Sequence, residues 1–209
     1  MRTNRSCSAG LAVAIAAVCS PSPGAAQPRQ ATRATTSQAP ANDGSLAELN
    51  RQFTVRGHRV HPALIERFTR WPSDASEPVV ITVNVLTAAG TNEYPDDSIE
   101  VESDRVGLTR PPGEGWFNYR WLGTVSPGLH VLETADNGGG SGIFETLYIF
   151  RASAATGQGP DGPYPQLLLS VVRYFVLGDR DDGTVTVRPN VVTIGTSRYR
   201  TKPVTLTFK

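Results

Sequence analysis

Cysteine is nearly absent from the 209 residues: Cys7 and Cys19 are the only two, and both stand close to the start of the chain. Lysine is scarce as well, with Lys202 and Lys209 set against 18 arginines, and the formal charge is only +1. A chain this close to neutral lacks the basic field that draws a protein to nucleic acid or to an anionic membrane, so neither partner is expected. Long apolar runs are missing too. Ala9–Val18 is ten residues long, about half of the ~20 that a spanning helix needs, and no later stretch reaches that length without a charge. No helical membrane span is expected.

What the start of the chain does contain is an export address. Arg2 and Arg5 make a short positive opening, Ala9–Val18 supplies the apolar stretch, and Gly24-Ala25-Ala26 offers small residues before Gln27. This order predicts a secretory signal over residues 1–26, a mature chain beginning at Gln27, and a location in the periplasm or outside the cell. Lipid attachment at Cys19 is disfavoured because Val18 occupies a position where a small residue is required. Cleavage removes Arg2, Arg5 and both cysteines, which takes the formal charge from +1 to −1. The mature chain then has no thiol for a disulfide, a cysteine nucleophile, or a thiolate zinc or iron–sulfur site.

Residues 27–44 read as a disordered linker, since Gln27 to Asn42 hold no aromatic and no large aliphatic side chain to offset the entropy of ordering. A single domain is expected over 45–209. Ser45-Leu46-Ala47-Glu48 has capping-box spacing, Arg56-Gly57 sits between two short apolar alternations as a hairpin turn, and Pro62 suits the first position of a helix. Leu64, Ile65, Phe68 and Trp71 share one face of that helix, and Pro72 ends it.

From Glu77 onward the pattern is that of strands. Val79, Ile81, Val83 and Val85 alternate with polar residues, as do Phe117, Tyr119 and Trp121. Further runs at Leu129–Thr134, Ile143–Phe150, Leu167–Leu177, Thr184–Arg188, Val191–Ile194 and Val204–Phe208 are separated by Gly, Pro, Asn or Asp. Strands separated by short turns, with one convincing helix, predict a mainly β fold: an antiparallel β-sandwich of eight or nine strands with a short N-terminal helix packed on it. An outer-membrane barrel is disfavoured because Leu167–Leu177 is apolar on both faces, as a central sandwich strand is. Val79, Ile81, Val83, Val85, Leu147, Ile149, Leu169, Val171 and Phe175 are expected in one core.

Candidate functional residues gather between Gly115 and Phe150. With Phe117, Tyr119 and Trp121 turned inward, Trp116, Asn118 and Arg120 face outward, where an indole can stack and a guanidinium can bond a carboxylate or a sugar hydroxyl. The loop Asp136-Asn137-Gly138-Gly139-Gly140-Ser141-Gly142 is followed by a strand, so it is no phosphate cradle, and Ile143 breaks the nucleophile-elbow pattern around Ser141. It is expected to be a hairpin loop whose bare backbone lets a ligand approach. The candidate ligand surface is therefore Trp116, Asn118, Arg120, His130, Asp136, Gly139 and Ser141.

Strand parity puts His130 on one face with Leu132 and Thr134, and Glu133 on the other. His58, His61 and His130 have no metal-ligand spacing that survives the helix start at Pro62, so no metal and no cofactor are expected. Asp181-Asp182-Gly183 has the wrong spacing for a calcium loop and reads as a hairpin turn. The acidic stretch from Glu93 to Asp104 is expected to be a solvated edge, and the basic tail from Arg188 to Lys209 is a candidate to pair with it. The function expected is a non-catalytic binding role outside the cytoplasm, with an envelope glycan or peptide as partner. The alternative is a secreted hydrolase or lyase acting on an envelope polymer through His130 with Glu133 or Asp136.

Overall fold

The computed structural model describes residues 44–69, 82–85 and 99–209. The expectations for the signal segment, the linker, Trp71, Val79, Ile81, Glu93, Asp96 and Asp97 lie outside the described residues. Within them the chain is mainly β, with twelve strands and two short helices.

The N-terminal part consists of helix α1 (Ser45–Gln52), a hairpin of β1 (Thr54–Val55) and β2 (His58–Arg59), and helix α2 (Pro62–Glu66). The hairpin turns on Arg56 (φ 53°) and Gly57 (φ 80°), two consecutive positive values of the kind a tight two-residue turn needs. The expected capping box does not form. Gly44, which has no side chain to offer, is the N-cap of α1, and Glu48 reaches past the helix instead. Its carboxylate accepts from Thr54 Oγ1 at 2.7 Å and from the backbone N–H groups of Arg56 and Gly57 at 2.9 and 2.7 Å. The turn offers three donors to one carboxylate, and those bonds, Gly57's first, hold Glu48 below its ordinary pKa. At α2 the start is as expected, since Pro62 opens the helix and His61 caps it, with Nδ1 accepting from the Ala63 N–H at 3.1 Å; the helix closes after Glu66, and 67–69, Phe68 among them, form a turn in place of the longer helix expected to run to Pro72.

The main sheet has seven antiparallel strands in the order β3 (Thr82–Asn84), β9 (Gly162–Asp179), β8 (Phe144–Gly159), β7 (Leu129–Asn137), β6 (Trp116–Ser126), β5 (Arg105–Thr109) and β4 (Ile99–Glu102). Its end strands, β3 and β4, do not pair with one another, so among the described residues the sheet is open. Beyond the strands expected from sequence, β4 and β5 make a hairpin from the acidic stretch, turning through Ser103 (φ 57°). A second sheet of three strands, β10 (Val185–Arg188), β11 (Val191–Ile194) and β12 (Val204–Thr207), completes the fold.

Alternation along the strands supplies apolar residues to both faces of the main sheet. On the first face Phe117, Tyr119, Leu132, Phe150 and Leu169 pack under the helical segment, meeting Leu49, Phe53, Leu64 and Ile65. On the second face Val131, Leu147, Ile149 and Leu177 pack against Val192, Ile194 and Leu206 of the small sheet. The residues expected in one core therefore divide between two: Val83, Val85 and Leu169 under the helices, Leu147 and Ile149 under the small sheet, with Val171 and Phe175 half-buried at the margins. One sheet with two apolar faces cannot have a single core.

The hairpin expected at Asp181-Asp182-Gly183 is a crossover between sheets. β9 pairs with β8 and β3, whereas β10 pairs with β11. Asp181, its side chain 1% exposed, anchors the crossing by accepting from Arg200 Nη2 at 2.9 Å. Arg198 pairs with Asp182 beside it, so Arg198 and Arg200 of the basic tail meet this crossover and not the acidic hairpin.

Val83 is 5% exposed on edge strand β3 and packs into the helical core. Val83→Asp buries an unpaired carboxylate there and is expected to cost at least ~3 kcal/mol, enough to remove most soluble protein. Soluble yield and melting temperature equal to those of the parent chain would place this strand differently.

Candidate functional site

The small sheet covers only part of the second face. β10 lies over the C-terminal half of β6, where Val187 approaches Gly123. The N-terminal half of β6 and the strands next to it continue beyond that cover. Register aligns Arg105, Arg120 and Glu133 in one row across β5, β6 and β7, and Gly107, Asn118, Ala135, Glu145 and Gly178 in the next row across β5 to β9. Trp116 stands one step further, between Thr109 and Asn137. Paired residues project to the same side of an antiparallel sheet, so these side chains share one surface.

The surface is polar and braced. Glu133, its side chain 7% exposed, accepts from Arg105 Nη2 at 2.7 Å and from Arg120 Nη2 at 3.0 Å. Arg105 also donates to Asn118 Oδ1 at 2.9 Å, and Asp104 lies 3.6 Å from the Arg120 guanidinium. Two guanidiniums are thus fixed by one nearly buried carboxylate while each remains about one-third exposed. Burial raises Glu145 above its ordinary pKa, and the neighbouring Glu133 carboxylate adds to the effect. Beyond Glu145, the Tyr199 ring lies over Gly178, where an added Cβ would come within 2.7 Å of it; Tyr199 is 56% exposed.

Of the seven residues expected to form a ligand surface, three meet here: Trp116, Asn118 and Arg120. His130 is on the first face and fully buried. Its Nε2 faces Asn50 Oδ1 at 3.1 Å, its ring touches Phe53 at 5.2 Å between centroids, and Nδ1 has no partner. A carbonyl oxygen opposite Nε2 assigns the proton of the neutral ring to that nitrogen. Asp136 also belongs to the first face, where it is held by Arg110 Nη2 at 2.9 Å.

Arg110 explains why the glycine loop is shaped as it is. Its Nε and Nη2 bond Glu66 of α2 at 3.1 and 2.5 Å, Nη2 also bonds Asp136, and Nη1 bonds the carbonyls of Glu114 and Asn137 at 3.2 and 3.0 Å. All five guanidinium donors are satisfied. Burial opposes the charge, but the bonds to Glu66 and Asp136 outweigh it and raise the pKa. The β5–β6 loop is drawn so close to the β7–β8 loop that a Cβ on Gly139 would sit 2.0 Å from the Gly113 carbonyl oxygen. Gly139, expected to admit a ligand, admits the chain's own backbone; Gly138 and Gly140 have open space. Ser141 is exposed, and its carbonyl accepts from Arg180.

The catalytic alternative does not gain a cleft from this arrangement. Glu133 projects from the face opposite His130, and Asp136 is six residues further along the strand, about 20 Å away by strand geometry. Hydrogen-bond reach fails for both pairs. Among the described residues no group of three or more His, Asp or Glu is placed to hold a metal ion. Arg105, Glu145 and Tyr199 were not singled out by sequence, because their place beside Trp116 depends on register across five strands. No protein-family model, curated protein or solved structure matches the chain.

His130 generates a pH prediction. Burial alone lowers its pKa from 6.5 to about 4, so the unfolded chain takes up a proton near pH 6.5 that the folded chain refuses. Stability is retained above that pH, falls as pH drops toward 4, and levels off below it, a loss of about 3 kcal/mol from this group. Urea denaturation at a series of pH values is expected to show this slope, and His130→Gln, which keeps a donor for Asn50, is expected to remove it. Equal slopes in the two proteins between pH 6.5 and 4 would contradict the burial of a neutral ring.

Proposed function

We propose that this chain is an exported binding protein that takes its ligand on the uncovered half of the second sheet face and catalyses no reaction. The observation that carries the reading is the pair of guanidiniums fixed on Glu133 beside a half-buried Trp116. A recognition surface works best when its donors are already immobile, since no ordering entropy is then lost on binding. Glu133 supplies that rigidity, and the Arg105 and Arg120 side chains each stay about one-third exposed to solvent, although Arg120 Nε itself is buried. Export rests on the N-terminal pattern of residues 1–26, and a binding site outside the cytoplasm suits a chain whose mature part holds no thiol to oxidise.

Screening envelope glycans and peptides against the parent chain, Trp116→Ala and Arg120→Ala tests the site. A ligand is expected whose affinity falls on the order of tenfold in each variant, equivalent to about 1.4 kcal/mol. A ligand that ignores both substitutions, but is lost when the acids of 93–104 are changed, would move the site to the β4 edge. Export is tested separately. N-terminal sequencing of protein recovered from outside the cytoplasm is expected to begin at Gln27, and an acylated Cys19 would contradict that processing.

A further inference from the structure

We infer that the ligand of this face is a linear glycan bearing free amino groups, laid across the strands between Trp116 and Tyr199. The inference rests on the proposed binding site and adds the class of ligand. Its first ground is what the face offers. The inner strands β5 to β8 each pair on both sides, so their backbone groups are spent in the ladder. A peptide adding to a sheet needs a free strand edge for its main chain. This face has only side chains to give, which suits a ligand that bonds through peripheral hydroxyls and amines and presents flat ring faces.

The second ground is spacing. Trp116 is on β6, and Tyr199 lies over Gly178 of β9, three strands away. At about 4.8 Å between strands the two aromatic side chains are roughly 14 Å apart across the sheet. Between them lie Asn118, Ala135 and Glu145, with no large apolar side chain in the row. Two rings at the ends of a shallow polar strip make a platform for a chain of several sugars, stacked at each end and hydrogen-bonded between.

Charge supplies the third ground. Glu100 and Glu102 align with Gly107 and Arg105 on the same face, and Asp104 joins Arg120. Together with Glu133 and Glu145, five carboxylates stand against the two arginines of the strip. Both guanidiniums already face a carboxylate of the protein, so a ligand carboxylate or phosphate would compete with Glu133 for donors and meet a net negative surface. An ammonium on the ligand meets complementary charge.

The test is titration of the full chain, by calorimetry at low and moderate salt, with three hexasaccharides of similar length: fully deacetylated chitosan hexamer, its N-acetylated counterpart, and hexagalacturonate. The deacetylated oligomer is expected to bind at least tenfold tighter than the acetylated one, with the margin shrinking as salt rises, and hexagalacturonate is expected not to bind. Trp116→Ala and Tyr199→Ala should each weaken the deacetylated oligomer about tenfold, and Glu145→Gln should narrow its margin over the acetylated one. Tyr174→Ala, an exposed ring on the first face, should change nothing. Equal binding of the acetylated and free-amine oligomers, or preference for the acidic one, overturns the amine assignment. If all three fail while a peptide binds in a Trp116-dependent way, the glycan class falls and the site stands. If no ligand depends on Trp116, both fall.

Discussion

The constraint on which the structure turns is that strands β6, β7, β8 and β9 carry apolar side chains on both faces. A sheet of that kind needs two covers. The chain provides them from its two ends: the α1–hairpin–α2 segment before the sheet and the β10–β12 sheet after it. They are unequal. The helical segment reaches across the first face from β9 to β5, whereas the small sheet stops halfway along β6 and β7. Where its cover ends the side chains change from Val131 and Leu147 to Glu133 and Glu145, alternating positions of the same strands. The uncovered half of the sheet is polar because the small sheet is short, and the proposed binding surface follows from that one mismatch.

Holding the first cover in place falls to two polar contacts made at a distance. Arg110 ties α2 to the ends of β5 and β7 through Glu66 and Asp136, and Tyr119 donates its hydroxyl to the Val60 carbonyl at 2.5 Å at the foot of the small hairpin. Glu66 and Tyr119 are buried, so removing the partner of either would leave an unsatisfied group in an apolar setting, whereas Asp136 stays one-third exposed. His130 is the exception among these groups. Its Nδ1 and the nearby Trp121 Nε1 are both buried without a protein partner, which makes the region under α1 the least well satisfied part of the first face.

Much of this architecture was legible in the sequence where local pattern decides. Two-residue alternation placed Phe117 and Tyr119 inward and separated His130 from Glu133; Arg56-Gly57 marked a turn; Pro62 marked a helix start. Legibility ended where distant residues compete for one group. Glu48 had the spacing of a capping residue, yet the hairpin's three donors took it. Asp181-Asp182-Gly183 had the composition of a hairpin, yet Arg200, 19 residues on, fixes it as a crossover. Arg110 and Glu66 are 44 residues apart and carry no shared signature. The candidate site suffered most, since Trp116, Arg105 and Tyr199 become neighbours only through the register of successive strands.

The proposed ligand surface is the uncovered half of the second face. Hydroxyl-radical footprinting with mass spectrometry reads it directly, because exposed rings are oxidised in proportion to their contact with water. On adding deacetylated chitosan hexamer, Trp116 and Tyr199 are expected to become protected, while Phe144 and Tyr174, exposed on the first face, keep their oxidation rates. Protection of Phe144 and Tyr174 with Trp116 and Tyr199 unchanged would place the ligand on the opposite face and contradict the account.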